Sequence, residues 1–252
     1  MKMPVSAAAL CLLPLFCLAQ EGPPVTPYRP SVSSPAQLPA AGQLELELGG
    51  LSSKSDDGRR TSLPYALKLG FNEQWGVVLV GEGYVSAPDG DGGRAHGIGD
   101  TQFVLKRAFI LGEDSALGLE LGAKAPTARD SIGSGRADYS LNGIYSQDIG
   151  SVHMDANLNG TRLGSYEPGS GRVQTGLSAS FSTPINEQWG ATGELSGTRR
   201  SGAASTAQVL FAVSYSPSKR LTLDAGFAHG LNHASPDWSF FSGVVLPLAQ
   251  LW

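Results

Sequence analysis

The chain has 252 residues, of which 16% are charged, and its formal net charge is −4. A soluble globular protein carries closer to a quarter charged residues, and no stretch after residue 20 reaches the ~20 apolar residues of a membrane-spanning helix. The charge gives no indication of a nucleic-acid partner, and the length suits one large β domain.

Residues 1–19 are predicted to be a secretory signal peptide. Lys2 supplies the positive start, Val5–Leu18 the apolar core, and small residues precede a cleavage after Ala19. Cys11 and Cys17 both lie inside this signal. The mature chain therefore has no thiol chemistry, disulfide or cysteine-ligated metal.

Residues 20–41 hold six of the sixteen prolines and are predicted to be an extended, Pro-rich leader. Such a leader lies either in the periplasm or inside a barrel as a plug. We expect the periplasmic placement, because the segment has few large apolar side chains to pack.

Twelve segments of alternating polarity follow, separated by gaps that are alternately long and short. They lie at 42–51, 62–71, 75–85, 98–110, 115–125, 136–146, 151–162, 172–182, 189–198, 205–215, 220–230 and 237–248. Long loops on one side and short turns on the other are typical of a bacterial outer-membrane barrel. A soluble β-sandwich also alternates, but the signal and the absence of cysteine after it favour the barrel. The sequence predicts an all-β, transmembrane antiparallel β-barrel of about twelve strands over 42–252, located in the bacterial outer membrane.

One face of these strands is polar and is predicted to line the lumen, where unpaired charges are costly unless they are hydrated. The charges either stabilise the wall as salt bridges or select solutes in a hydrated channel. Carboxylates outnumber bases, which favours neutral or cationic solutes over anions. The predicted lumen residues are Glu45, Glu47, Lys68, Glu82, Asp100, Lys106, Glu120, Lys124, Asp138, Asp155, Glu194 and Asp224.

The motif Asn-Glu-Gln-Trp-Gly occurs twice, at 72–76 and 186–190, each time at a predicted short turn. Trp75, Trp189, Tyr65 and Tyr145 are predicted to form an aromatic girdle at the membrane interface. The terminal Trp252 is similar to the signal that barrel assembly machinery reads. Outer-membrane lipid, that machinery and small solutes are the expected partners, and no oligomeric state is indicated.

Two short patterns resemble a known family. Gly97-Ile98-Gly99-Asp100 opens a strand, and Lys124-Ala125-Pro126-Thr127 ends the next one, before a Gly-Ser-Gly loop and Asp138. This order resembles a transporter-like outer-membrane family labelled putative meta-pathway of phenol degradation. Ala128 departs from the glycine that is usual there. The resemblance implies an outer-membrane channel for aromatic or hydrophobic compounds.

The function expected from these features is passive uptake of small solutes through a charged lumen. One alternative is a structural or adhesive barrel with an occluded lumen and partner-binding loops. Another is a lipid-modifying enzyme, which needs a nucleophile and a base in one place. The serine–histidine pairs close in sequence are Ser151 with His153, and Ser235 or Ser239 with His229 or His233. Serine is abundant enough for such pairs to arise by chance, so we expect no catalytic site, metal or cofactor.

Overall fold

The computed structural model describes residues 22–89 and 92–252, so the predicted signal at 1–19 lies outside the described residues. No helix in the described part of the chain could cross a membrane. The strands are β1 (Gln43–Ser55), β2 (Gly58–Gly70), β3 (Trp75–Pro88), β4 (Arg94–Gly97), β5 (Thr101–Ile110), β6 (Ser115–Ala125), β7 (Asp138–Ile149), β8 (Val152–Arg162), β9 (Val173–Pro184), β10 (Trp189–Arg200), β11 (Thr206–Ser218), β12 (Leu221–Gly230) and β13 (Trp238–Gln250).

The sheet closes on itself as an antiparallel barrel. Consecutive strands pair with one another, and β1 closes the cylinder by pairing with both β2 and β13. The short β4 pairs with the far end of β3, while β5 pairs with the part of β3 inside the barrel wall. The predicted barrel of twelve strands is confirmed, with β4 as a short extension above the wall.

The polarity of the barrel is the reverse of that in a soluble protein. Leu158, Leu177 and Leu195 point outward and are 58%, 63% and 58% exposed, whereas Lys68 and Lys106 point inward and are fully buried. A soluble β-sandwich would bury the leucines and expose the lysines. A closed barrel also pairs every wall strand on both sides, as a lipid environment requires. The outer face is therefore the lipid-facing surface.

The first described residues, the C-terminus and five short turns lie at one end of the barrel, whereas the other end has one two-residue turn, at 56–57, among longer connections. The turns at 71–74, 111–114, 150–151, 185–188 and 219–220 have two to four residues. Short turns and termini mark the periplasmic end of an outer-membrane barrel, and the opposite end is extracellular. Gly42, with φ of +75°, brings the start of β1 against the C-terminus, where the N–H of Leu251 donates to its carbonyl over 2.8 Å.

Two predicted extracellular loops are largely strand. The predicted loop 52–61 is a hairpin, because β1 and β2 remain paired as far as Ser55 and Gly58. Gly58 has φ of +114°, which permits the two-residue turn at 56–57. β3 likewise extends to Pro88. These polar residues carry no hydrophobic pattern, yet their backbone groups continue the ladder above the membrane.

Two prolines lie within strands at register shifts. Pro64 stands in the middle of β2, where the pairing with β3 shifts between Ser62 and Pro64. Pro247 faces the shift between Leu44 and Glu45 in β1. A residue without an N–H is tolerated at such irregularities. The bulge therefore accommodates Pro64 in the middle of the strand.

The repeated Asn-Glu-Gln-Trp-Gly motif forms two equivalent periplasmic turns. Asn72 Oδ1 accepts hydrogen bonds from the N–H groups of Gln74 and Trp75 over 2.8 and 2.9 Å. Asn186 makes the same two bonds, both over 2.9 Å, in the second copy. The side chain replaces a backbone acceptor, which is how asparagine stabilises a turn. The repeat therefore has a structural role.

Candidate functional site in the barrel lumen

Residues 22–41, called here the N-terminal segment, lie inside the barrel. The segment enters at the periplasmic end, where the N–H of Val25 donates to the carbonyl of Lys219 over 2.9 Å. It reaches Glu194 on the β10 wall at Val32 and returns to the periplasmic end at Gly42. The predicted periplasmic placement is thus wrong. Inward-facing polar side chains bind its backbone, and Ala36 also packs against Ala116 and Ile144 of the wall.

The two glutamates of β1 bind the start of the segment. Glu45 accepts from the N–H of Thr26 over 3.0 Å, and Glu47 accepts from the N–H of Tyr28 over 2.7 Å. Lys68 lies between the two carboxylates, with its Nζ 2.9 Å from Glu45 and 2.6 Å from Glu47, and it also donates to the carbonyl of Thr26. Buried charges of this kind need both an opposite charge and further hydrogen bonds. The segment supplies those bonds.

Tyr28 lies between two buried lysines. The Nζ atoms of Lys68 and Lys106 are 4.3 and 4.0 Å from the centre of its ring, and its hydroxyl donates to the carbonyl of Gln37 over 2.9 Å. The π face of the ring offsets the charge of both ammonium groups.

The Arg29 side chain lies along the inner face of the wall, over two glycines. Its guanidinium binds Asp224 through two bonds of 2.9 Å. Gly49 and Gly243 face each other across β1 and β13, and Gly243 is in turn the partner of Asp224. A Cβ on Gly49 would lie 2.7 Å from the guanidinium, and one on Gly243 would lie 2.4 Å from it. The absence of both side chains lets Arg29 reach its carboxylate.

The tip of the segment is held on the opposite wall. Glu194 accepts from the N–H groups of Val32 and Ser33 over 2.8 and 2.9 Å. Asn157 exchanges two bonds with the backbone of Ser34, over 2.8 and 2.9 Å. A carboxylate and an amide thus take up four backbone groups that the irregular segment cannot pair itself.

A chain of contacts holds the descending arm of the segment. The N–H of Ala36 donates to Ser146 over 2.8 Å, and Ser146 donates to Asp155. His153 lies between Asp155 and Asp148, with its ring nitrogens 3.2 and 2.5 Å from them. His153 therefore neutralises the carboxylate that positions Ser146.

A second cluster lies at the extracellular rim. Lys124 Nζ is 2.8 Å from Asp100, from Asp138 and from the hydroxyl of Ser134. Burial disfavours the charge of Asp100, but the hydrogen bonds from Lys124 and from the N–H of Ala128 outweigh it and lower the pKa of Asp100. The glycine-rich motifs noted in the sequence thus anchor the loop 126–137 to the rim.

Replacement of Lys124 with methionine is expected to loosen this loop, because Asp100 and Asp138 would then repel one another. Hydrogen bonds to charged groups contribute roughly 1.5–3 kcal/mol each, so we expect cleavage by trypsin after Arg129 or Arg136 to speed up about tenfold. Limited proteolysis of the folded barrel measures the rate. Lys54→Met is the control, and an equal change in both variants would contradict the role of the cluster.

The structure gives each predicted lumen residue a partner. It brings together Glu45, Glu47 and Lys68, then Lys106 and Glu120 at 3.1 Å, and then Asp100, Lys124 and Asp138. The others bind residues that were not predicted: Arg60 for Glu82, Arg29 for Asp224, the segment backbone for Glu194, and His153 with Ser146 for Asp155. Arg29 is the one basic residue of the Pro-rich leader, and this feature of the sequence could have predicted that it pairs with a lumen carboxylate.

The four residues of the predicted aromatic girdle occupy different positions along their strands. Trp75 and Trp189 begin β3 and β10 at the periplasmic end, and Trp189 packs against Tyr215 with ring centres 4.8 Å apart and ring planes at 37°. Tyr145 lies on β7 four residues from its periplasmic end. Tyr65 instead lies in the middle of β2, where its ring covers Gly81.

The candidate catalytic pairs do not assemble. His153 binds two carboxylates rather than Ser151. His229 contacts the carbonyl of Asp237, and Ser235 bonds with the backbone of Ala207. Within residues 22–89 and 92–252, no group of three or more histidine, cysteine or acidic side chains could hold a metal ion.

Two cavities flank the tip of the segment along the β8–β11 wall. The extracellular vestibule has a volume of about 410 Å³ and the periplasmic cavity about 400 Å³. On β10, Ser196 lines the vestibule, Thr192 lines the periplasmic cavity, and Glu194 between them binds the tip. Neutral side chains dominate the vestibule: Gln102, Ser140, Asn142, Asn159, Ser178, Thr198, Thr206 and Gln208.

Three solved structures with a similar fold are an outer-membrane channel and two porins. An outer-membrane channel from Pseudomonas putida F1 is 14% identical, with a TM-score of 0.67 over 89% of this chain and 100% of that one. The KdgM porin is 8% identical, with a TM-score of 0.58 over 81% and 99%. The NanC porin is 9% identical, with a TM-score of 0.57 over 81% and 100%. At these identities the likeness establishes the fold.

No curated protein sequence matches the chain significantly. A family model does match, over residues 29–248, and it therefore covers the lumenal contacts from Arg29 onward as well as the barrel. Since the match spans most of the chain, the protein belongs to the family described as "Putative MetA-pathway of phenol degradation".

Proposed function

We propose that the protein is a passive outer-membrane channel for small, uncharged solutes. One observation carries the proposal. The inward face of β10 lines both the vestibule and the periplasmic cavity, and the segment separates the two cavities where Glu194 binds Val32 and Ser33. A modest shift of the tip would join the two cavities. The solute would then follow the β8–β11 wall without displacing the whole segment.

The lining of the vestibule supports an uncharged solute. Amide and hydroxyl side chains can donate and accept hydrogen bonds without favouring either sign of charge. The family description points to hydroxylated aromatic compounds, and we propose them as one group of substrates.

The charged residues serve a second purpose in this proposal. Glu45, Glu47 and Asp224 hold the entry of the segment, so the lumen has little free negative charge while the segment is in place. We propose that these carboxylates act on permeating ions when the segment leaves, and that they act as its anchors when it is present. The predicted preference for neutral or cationic solutes over anions would then belong to the open state.

Glu194→Ala is expected to increase the fraction of time that the channel is open. The change removes the acceptor of two backbone N–H groups, and bonds to a charged group contribute roughly 1.5–3 kcal/mol each. The open fraction should therefore rise by about tenfold or more. Single-channel recording in a planar bilayer measures it.

Glu82→Ala is the matched control, since it also removes an inward carboxylate but one bound to Arg60 and not to the segment. Liposome swelling with a size series of uncharged sugars and an aromatic glycoside tests the solute class. If the parent and Glu194→Ala are both silent in a correctly folded state, the channel function is rejected in favour of an occluded barrel with binding loops.

A further inference from the structure

An apolar groove crosses the outer wall of the barrel. Its volume is about 1030 Å³, and it extends from Phe109 near the periplasmic end of β5 to Leu231 beyond the extracellular end of β12. The lumenal cavities are polar, whereas this groove is lined mainly by leucine, alanine and glycine. It lies on the lipid-facing surface and has no role in the proposed channel.

The groove follows two neighbouring rows of residues across the sheet. In one row, Tyr145, Ala156 and Ala179 face each other on β7, β8 and β9. In the other row, Leu158 and Leu177 are neighbours. Rows of this kind run obliquely across a membrane because barrel strands are tilted by roughly 35–45°. Small residues beside large ones leave a channel in which extended hydrocarbon chains fit.

Two arginines lie at the extracellular margin of the groove. Arg199 is two residues beyond Gly197 on β10, and Arg162 is four residues beyond Leu158 on β8, so both point outward like those residues. At about 3.3 Å per residue, their Cα atoms are roughly 7 and 13 Å from the groove. An extended arginine side chain can cover much of that distance.

These arginines have no ion-pair partner among the residues that the structure describes. Both are exposed, and two carboxylates of the neighbouring rim bind other cations. Glu167 binds Arg200 at 3.3 Å, and Asp138 binds Lys124. The extracellular margin thus offers two uncompensated positive charges directly above a hydrocarbon surface.

We propose that the groove and its two arginines form a binding site for a phosphorylated glycolipid of the outer leaflet. The acyl chains would lie in the groove, and Arg162 and Arg199 would bind a phosphate. Arginine suits this ligand because its planar guanidinium can bind phosphate through two bonds. The position at the extracellular rim selects an outer-leaflet lipid, and the width over several strands favours one with several acyl chains.

Native mass spectrometry of the folded barrel in zwitterionic detergent tests the proposal, with bisphosphorylated lipid A as the probe. The parent should retain the lipid, and R162Q/R199Q should bind it at least about tenfold more weakly. R59Q/R94Q removes two arginines from another part of the rim and should bind like the parent. Ala156→Trp, which fills the groove and leaves the arginines intact, should also weaken binding.

Three outcomes would overturn the assignment. One is a parent that does not retain lipid A. Another is equal retention by R162Q/R199Q and R59Q/R94Q, which would make any binding a general effect of charge. The third is equal retention of phosphatidylethanolamine or of dephosphorylated lipid A, which would reduce the feature to a surface that any acyl chain covers. None of these results depends on the conductance of the barrel.

Discussion

Deletion of residues 22–40 is expected to raise the single-channel conductance several-fold and to make the channel cation-selective. The segment occupies the lumen between Thr26 and Ala36, and its removal joins the two cavities. It also removes Arg29 from Asp224 and the backbone donors from Glu45, Glu47 and Glu194. The wall would then carry nine carboxylates against three lysines and Arg60, and water would hydrate them.

Reversal-potential measurements across a salt gradient give the selectivity, which should weaken as salt rises because screening shortens the range of the wall charges. A synthetic peptide of residues 22–40, added from the periplasmic side, should lower the conductance again. A scrambled peptide of the same composition is the control. An unchanged conductance after the deletion would show that the segment does not obstruct the path.

Lys68→Met is expected to destabilise the barrel by about 3–5 kcal/mol, the usual cost of leaving a buried charge without its partner. Lys68 is fully buried and is the cation shared by Glu45 and Glu47. Without it, two carboxylates face each other across one residue of β1. Equilibrium unfolding in urea, followed by tryptophan fluorescence in detergent micelles, measures the loss.

The triple variant K68M/E45Q/E47Q is the matched control for that result. It removes the two negative charges together with the positive one, so most of the lost stability should return. If the single and triple variants are equally unstable, the loss comes from packing of the lysine stem rather than from charge. If Lys68→Met unfolds like the parent, the ion cluster does not stabilise the barrel.

The local pattern of the sequence was enough to predict the strands of the barrel wall. The predicted segment 115–125 coincides with β6, and most other strands begin and end within a few residues of prediction. Strand alternation is a local property of the pleat, so each segment reports its own faces. The strand ends that were not predicted are polar. Residues 52–61 were predicted to be a loop because Ser52–Ser55 has no apolar face, yet the backbone of these residues pairs with β2.

The lumen could be predicted only in part. The alternation of side chains along the strands predicted that Glu45 and Glu194 face inward. It did not predict that they accept hydrogen bonds from the backbone, because the donors at Thr26 and Val32 lie in a segment without periodicity. Pro-rich sequence was interpreted as a leader outside the barrel because it lacks apolar side chains. The lumen is polar, so the segment needs polar contacts rather than apolar ones in order to bind there.

The sequence by itself determined the class of protein, the closed antiparallel wall and the polarity of its two faces. Strand periodicity gave the two faces, and the signal with the alternation of long and short gaps favoured a membrane barrel over a soluble sandwich. The tertiary structure decided which charges meet, since Arg29 and Asp224 are 195 residues apart and come together only through the register of β1, β12 and β13. It also decided that the lumen is occupied. Whether a segment enters a barrel depends on matching its unpaired backbone groups to side chains from several strands, and no single stretch of sequence contains that match.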